Sequence, residues 1–181
     1  GQWLTGPDAR AELEKGITDA LTPCTLLPDA SSKPALYILR ISKNGTRLEH
    51  LTDIDVVFPV LHGTYGEDGT MQGLLELTDV AYVGAGVTGS SVGMDKGIFK
   101  DVMRANNIPT VESIIVLRSE IEKDMEAVVR RAETVADYPL FVKPANLGSS
   151  VGISKCNNRS DLAEGLMEAA AYDRRILIER G

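Results

Sequence analysis

An apolar run, Asp55-Val56-Val57-Phe58-Pro59-Val60-Leu61, passes without a break into His62-Gly63-Thr64-Tyr65-Gly66-Glu67-Asp68-Gly69-Thr70-Met71-Gln72-Gly73. No other feature constrains the fold as much. The run has the continuous apolar character of a strand buried on both faces, the pattern of a parallel sheet. In open α/β sheets ligands gather at the carboxyl ends of such strands, so the glycine-rich acidic loop falls where a site is expected. Gly63, Gly66 and Gly69 allow sharp turns and a close backbone approach. Glu67 and Asp68 would repel a phosphate; they suit an amine, or a structural Lys or Arg. An acidic surface turn ahead of a helix accounts for the same residues.

The rest of the chain alternates between strand and helix signals. Ala35–Ser42 and Thr46–Leu51 flank Lys43-Asn44-Gly45, a hairpin signal. Before them lie a short helical stretch at Asp8–Thr18 and a loop from Pro23 to Pro34. Met71–Leu77 reads as a helix and Val80–Val83 as a short strand. Asp95–Asn106 reads as a helix with Ile98, Phe99, Val102 and Met103 on one face. Ser113–Leu117 is a strand, and Ser119-Glu120-Ile121-Glu122 is a capping box opening a helix that continues to Val135. Strands follow at Leu140–Lys143 and Ile153–Cys156, then a helix capped by Ser160 and a last strand at Ile176–Glu179. A break near residues 86–95 divides an α/β first part, residues 1–94, from an α+β second part, residues 95–181. Both ends look cut, and the chain reads as an internal piece of a longer protein.

Composition narrows the function classes. A formal charge of -7 gives no electrostatic footprint for nucleic acid, and no apolar run approaches the ~20 residues of a membrane span. Cys24 and Cys156 stand far apart, without the spacing of a metal site or a disulfide framework, and a reducing cytoplasm is the expected compartment.

Several segments carry candidate chemistry. Gly84-Ala85-Gly86-Val87-Thr88-Gly89 matches G-x-G-x-x-G after a strand, but Glu112 precedes the core of the next strand instead of closing it. A glycine-rich crossover between domains fits better than a nicotinamide site. Lys143 ends an apolar strand on the face it shares with Phe141, and a lysine removed from water needs an anionic partner. Pro144 is expected to end the ladder. The following Gly148-Ser149-Ser150-Val151-Gly152 offers backbone N–H groups and hydroxyls suited to phosphate oxygens. A serine-rich turn beside an edge lysine explains the same segment. Lys96, in the first turn of its helix, is either neutralised by Asp95 or reaches a phosphate. Glu179 is either a charged strand end or an acceptor for an exocyclic amine such as that of adenine. Ser149 has no histidine at triad spacing, so no serine nucleophile is read here.

Together these motifs resemble the D-alanine–D-alanine ligases of the ATP-grasp superfamily. The resemblance rests on His62-Gly63, Gly66-Glu67-Asp68-Gly69, Gln72-Gly73, Leu75-Glu76, Met94-Asp95-Lys96, Lys143-Pro144 and Gly148-Ser149-Ser150-Val151-Gly152, from about Ile54 onward. It implies a partial parallel-sheet N-terminal domain, in which residues 1–34 are variable, followed by the first α+β subdomain of an ATP-grasp domain. It also implies a cytoplasmic, homodimeric enzyme of peptidoglycan precursor synthesis that uses ATP, D-alanine and Mg²⁺ or Mn²⁺. Lys96, Lys143, Gly148, Ser149, Ser150, Val151 and Glu179 would then bind ATP, while His62, Glu67 and Ser149 would serve the D-alanine substrate, Ser149 in a catalytic position. The metal ligands are expected beyond Gly181, and this stretch alone is expected to be inactive. A D-alanine–D-lactate ligase, another ATP-grasp carboxylate–amine ligase and a non-catalytic nucleotide-binding module are the alternatives.

Overall fold

A computed structural model describes residues 2–181. The chain forms two units: residues up to Pro59 with Gly73–Gly84, and Val60–Gln72 with Ala85–Gly181.

In the first unit, β1 (Trp3–Thr5), the helix α1 (Ala9–Glu14), β2 (Thr22–Leu26), β3 (Ala35–Ser42) and β4 (Gly45–Asp53) follow in order. The four strands pair antiparallel in chain order. Ser42 pairs with Gly45 across Lys43-Asn44, and Gly45 has φ of 126°, a conformation costly for any residue with a Cβ. This confirms the expected hairpin. The segment read as a loop from Pro23 contributes β2 instead, because Cys24 and Leu26 alternate inward and are buried.

The apolar run behaves differently from its sequence reading. Only Val56–Val57 form a strand, β5, and Val56, Phe58 and Val60 are exposed. Pro59 has no N–H with which to extend a ladder. The helix α2 (Thr70–Leu77) follows the acidic loop as expected, and β6 (Ala81–Tyr82) pairs parallel with β5. Among the described residues parallel pairing is confined to this short pair, and the class is a mixed α/β fold dominated by antiparallel sheets.

The second unit contains α3 (Val87–Met94), α4 (Lys96–Ala105), β7 (Ser113–Leu117), α5 (Arg118–Lys123), α6 (Met125–Ala132), β8 (Leu140–Pro144), β9 (Ser154–Cys156), α7 (Arg159–Tyr172) and β10 (Arg175–Arg180). Its sheet is antiparallel, in the order β7-β10-β8-β9. One face packs on α5, α6 and α7 through Val116, Ile121, Val128, Val129, Leu140, Val142, Leu162, Leu166, Ile176 and Ile178. Successive side chains of a strand alternate between faces, so Leu177 and Glu179 of β10 turn to the other face. There α4 approaches, and a Cβ on Gly97 would come within 2.7 Å of the Ile115 side chain.

Several helix starts differ from the local signals. The segment near residues 86–95 holds α3, with Gly86 at its N-cap position; its Ser91 hydroxyl donates to the Asp68 carbonyl at 2.8 Å, a tertiary contact that offsets poor helix propensity. The expected cap Ser119 lies inside α5. Glu120 instead accepts from the Leu117 N–H at 2.6 Å, and the single long helix is divided at Asp124, which caps α6. Asn158, not Ser160, caps α7 by accepting from the Asp161 N–H. Ile98, Phe99 and Val102, on the apolar face of α4, are exposed. Pro144 remains in the ladder opposite Ile176, since proline keeps its carbonyl acceptor. Cys156 is buried in the core, and burial pushes its thiol up to about 11, the behaviour of an inert core cysteine.

Candidate functional site

The open face of the second sheet collects three lysines around one carboxylate. Lys143 and Glu179 lie on β8 and β10, where Lys143 pairs with Leu177 and Phe141 with Glu179. The Lys143 ammonium bonds Glu179 Oε1 and stands 5.5 Å from the centre of the Phe141 ring. Lys100, one helical turn beyond Lys96, reaches Glu179 Oε2 at 2.7 Å. Burial pulls the Glu179 carboxyl upward, but the bonds from Lys100 and Lys143 outweigh it and hold it below its ordinary range. Lys96, Phe99, Lys100, Val111, Lys143 and Glu179 contribute to the lining of a cavity of about 420 Å³.

Lys96 is fixed by its backbone and its side chain. Its N–H donates to the Ala145 carbonyl at 2.9 Å, and its ammonium to the carbonyls of Pro144 at 3.1 Å and Leu147 at 2.6 Å. Burial, then the charge of Lys143, lowers its pKa, so an entering anion would relieve an existing strain on the charged form. Asp95 forms no ion pair with Lys96, although its charge favours the ammonium. One of its oxygens accepts from the Gly97 and Ile98 N–H groups, capping α4, and the other pairs with Arg175.

Beyond β8 the chain forms a flap whose backbone is strained. Ser149 and Ser150 have φ of 54° and 58°, and Gly152 has φ of 67°. A Cβ on Gly152 would lie 2.7 Å from the Tyr172 ring and 2.9 Å from Pro144. Ser149, Ser150 and Val151 are exposed, and among the described residues the Ser149 and Ser150 N–H groups donate to no protein atom. The flap is tied at its base, where Asn146 N–H donates to Asp173 at 2.7 Å.

The acidic loop meets this flap. A Cβ on Gly148 would stand 3.6 Å from the Gly63 Cα and 3.8 Å from Glu67 Oε2. Within the loop the acids are used inward: Glu67 accepts from the Gly63 N–H at 2.6 Å, and Asp68 from Tyr65 at 2.9 Å and Thr70 at 3.0 Å. Gly63 and Gly69 have φ of 71° and 92°, and a Cβ on Gly69 would collide with Ser91. The Gln72 amide closes the loop on the Gly66 carbonyl at 3.1 Å. His62 stands exposed at the loop's entrance.

Comparison with known proteins gives the family. Residues 1–85 match the family model described as D-ala D-ala ligase N-terminus, and residues 102–181 the one described as D-ala D-ala ligase C-terminus. The chain belongs to the D-alanine–D-alanine ligase family. It is 56% identical over 181 residues to the D-alanine–D-alanine ligase of Chloroherpeton thalassium, covering 99% of this chain and 49% of that one. The ligase of Natranaerobius thermophilus is 44% identical over 180 residues, with 99% and 47% covered. The chain therefore spans about half the length of the curated relatives it matches. Among solved structures, the VanG D-Ala:D-Ser ligase of Enterococcus faecalis matches with a TM-score of 0.81 and 28% identity, over 100% of this chain and 50% of that one. The D-alanine–D-alanine ligase of Coxiella burnetii matches at 0.75 and 30%, over 100% and 49%.

Seen within that family, the fold brings Lys96, Lys143 and Glu179 to one cavity wall, and Gly148 to Glu67. Sequence reading missed Lys100, Arg175 and Asp173. Only Lys100 left a signal: it follows Lys96 by four residues and so shares its helix face.

Proposed function

We propose that this chain carries the amino-acid loop and the first nucleotide-binding elements of an ATP-dependent ligase that joins two D-alanines for peptidoglycan precursors. The observation that carries this reading is the pairing of Lys143 and Lys100 with the buried Glu179, set beside a flap whose Ser149 and Ser150 N–H groups have no partner among the described residues. ATP supplies a phosphoryl group that turns the carboxylate of the first D-alanine into an acylphosphate, and the amine of the second D-alanine displaces phosphate from it.

Lys143 and Lys96 hold phosphate oxygens by charge-assisted hydrogen bonds. Glu179 accepts from the exocyclic amine of adenine. The amides of Gly148, Ser149, Ser150 and Val151 close on the phosphates and exclude water from the acylphosphate. The Ser149 hydroxyl and His62 position the first D-alanine, and Glu67 supports them by fixing the Gly63 turn. Among the described residues no three His, Cys, Asp or Glu side chains gather to hold a metal. The roles assigned to these residues are accordingly those of side chains and backbone amides alone. No helix among the described residues is long and apolar enough to cross a membrane; a cytoplasmic homodimer belongs to the same proposal.

The test is product analysis of the whole protein with ATP and D-alanine. D-alanyl-D-alanine and ADP in equal amounts are expected. ADP formed without dipeptide, with a mixed product appearing only when D-serine or D-lactate is added, would overturn the choice of second substrate. Nucleotide binding with no ligation of any pair would favour the binding-module reading.

A further inference from the structure

We propose that Lys100 is a positioning residue for nucleotide-base selection: it is the counterion that keeps Glu179 ionised and oriented when Lys143 turns to the phosphates. This inference rests on the nucleotide reading above and goes beyond it, because it assigns different duties to two lysines that share one carboxylate.

The geometry separates the three lysines. Lys96 uses two of its three donors on carbonyls at the start of the flap and makes no bond to Glu179. Lys143 has a single hydrogen-bonded anchor, Glu179 Oε1, beside its contact with the Phe141 ring. Lys100 has two, Glu179 Oε2 at 2.7 Å and the Val111 carbonyl at 3.1 Å, so it is held even without Lys143. The Lys100 and Glu179 side chains are only 13% and 12% exposed, against 23% for Lys143. Lys143 is thus the more exposed and less anchored of Glu179's two partners, and the one free to leave.

If Lys143 leaves for a phosphate, a buried carboxylate loses one of its two cations. Breaking a buried pair leaves an uncompensated charge, and a carboxyl in that position takes up a proton. Lys100 prevents this, since it stays bonded to Oε2 while Oε1 becomes free. An ionised carboxylate only accepts hydrogen bonds. It therefore welcomes a purine with an amine at its 6-position and opposes one with a carbonyl there, where acceptor would face acceptor. Such an unmatched buried contact is the strongest kind of discrimination a site can build. A protonated Glu179 could donate to the carbonyl and would lose the distinction.

The experiment compares kcat/KM for ATP and inosine triphosphate in the whole protein, for wild type, Lys100→Met, Lys100→Arg and Glu179→Gln. Wild type and Lys100→Arg should favour ATP. In Lys100→Met that preference should fall about tenfold, mainly through KM for ATP, with kcat at saturating ATP little changed. Loss of activity toward both nucleotides by the same factor in Lys100→Met, with the preference intact, would overturn the proposal and leave Lys100 as an anchor of α4. The control separates the two levels. If neither wild type nor Glu179→Gln distinguishes the nucleotides, the adenine role of Glu179 is wrong; if Glu179→Gln loses the preference and Lys100→Met keeps it, only the role of Lys100 is.

Discussion

The acidic loop and the serine flap have similar compositions and opposite constructions. Both are rich in glycine, both contain residues at positive φ, and they meet at Gly148 and Glu67. In the acidic loop the carboxylates of Glu67 and Asp68 are bonded to the loop's own N–H groups. In the flap the Ser149 and Ser150 N–H groups have no partner among the described residues. The first loop is therefore organised before any ligand arrives. The second keeps its hydrogen-bonding capacity for something brought to it, which is how a closing element can exclude water without a costly rearrangement of its partners.

Substitutions can break this contrast. The largest effect is expected at Gly69, where φ is 92° and an added side chain meets Ser91 and the Val87 carbonyl. Gly69→Val should destabilise the fold by about 3 kcal/mol or more, measured by urea unfolding; a loss below about 1 kcal/mol would mean that the loop is not rigid. Next comes Lys143→Ala, which should weaken ATP binding about thirtyfold by titration, the value of a charge-assisted hydrogen bond. Unchanged affinity would remove Lys143 from the phosphate site.

Asp68→Asn should cost about 1–2 kcal/mol, because an amide group cannot accept from both Tyr65 and Thr70. Its pH dependence follows from the sign of the shift. Burial raises the Asp68 pKa, and the two N–H bonds outweigh it to leave the carboxyl below its ordinary value. The stabilisation is therefore present above about pH 4 and is lost as pH falls through the folded-state pKa. Glu179 has the same sign. Acid unfolding of Asp68→Asn should accordingly be less steep than that of wild type. The smallest effect is expected at Ser149, where φ is 54°. Ser149→Gly should leave stability within about 1 kcal/mol of wild type or slightly above it, while raising KM for D-alanine. A large stability loss there would show that the flap is as built-in as the acidic loop.

Part of this organisation is legible without coordinates. The hairpin at Lys43-Asn44, the helix after the acidic loop and the strands carrying Lys143 and Glu179 follow from turn chemistry and apolar patterning, which act between near neighbours. The errors came where a local pattern met a tertiary condition. Val56–Leu61 is apolar enough for a buried strand, yet only two residues pair, since Pro59 cannot donate and the side chains around it are not covered. The apolar face of α4 was legible as a helical stripe, but not that Ile98, Phe99 and Val102 stay exposed while the helix rests on the sheet through Gly97. The glycine-rich segment expected to be a crossover near residues 86–95 holds the helix α3, which the Ser91–Asp68 contact supports.

By itself, the sequence determined the family, the glycines that only certain turns can use, and which charged residues lie at strand ends and helix starts. Tertiary structure decided their partners. Asp95 pairs with Arg175 across 80 residues instead of with its neighbour Lys96, and Lys143 meets Glu179 across 36. Glu67 and Asp68 turned to their own backbone. Periodicity and capping report forces that act within a few residues, whereas the choice of partner for a buried charge depends on which groups the sheet registers and helix packing bring within 3 to 4 Å.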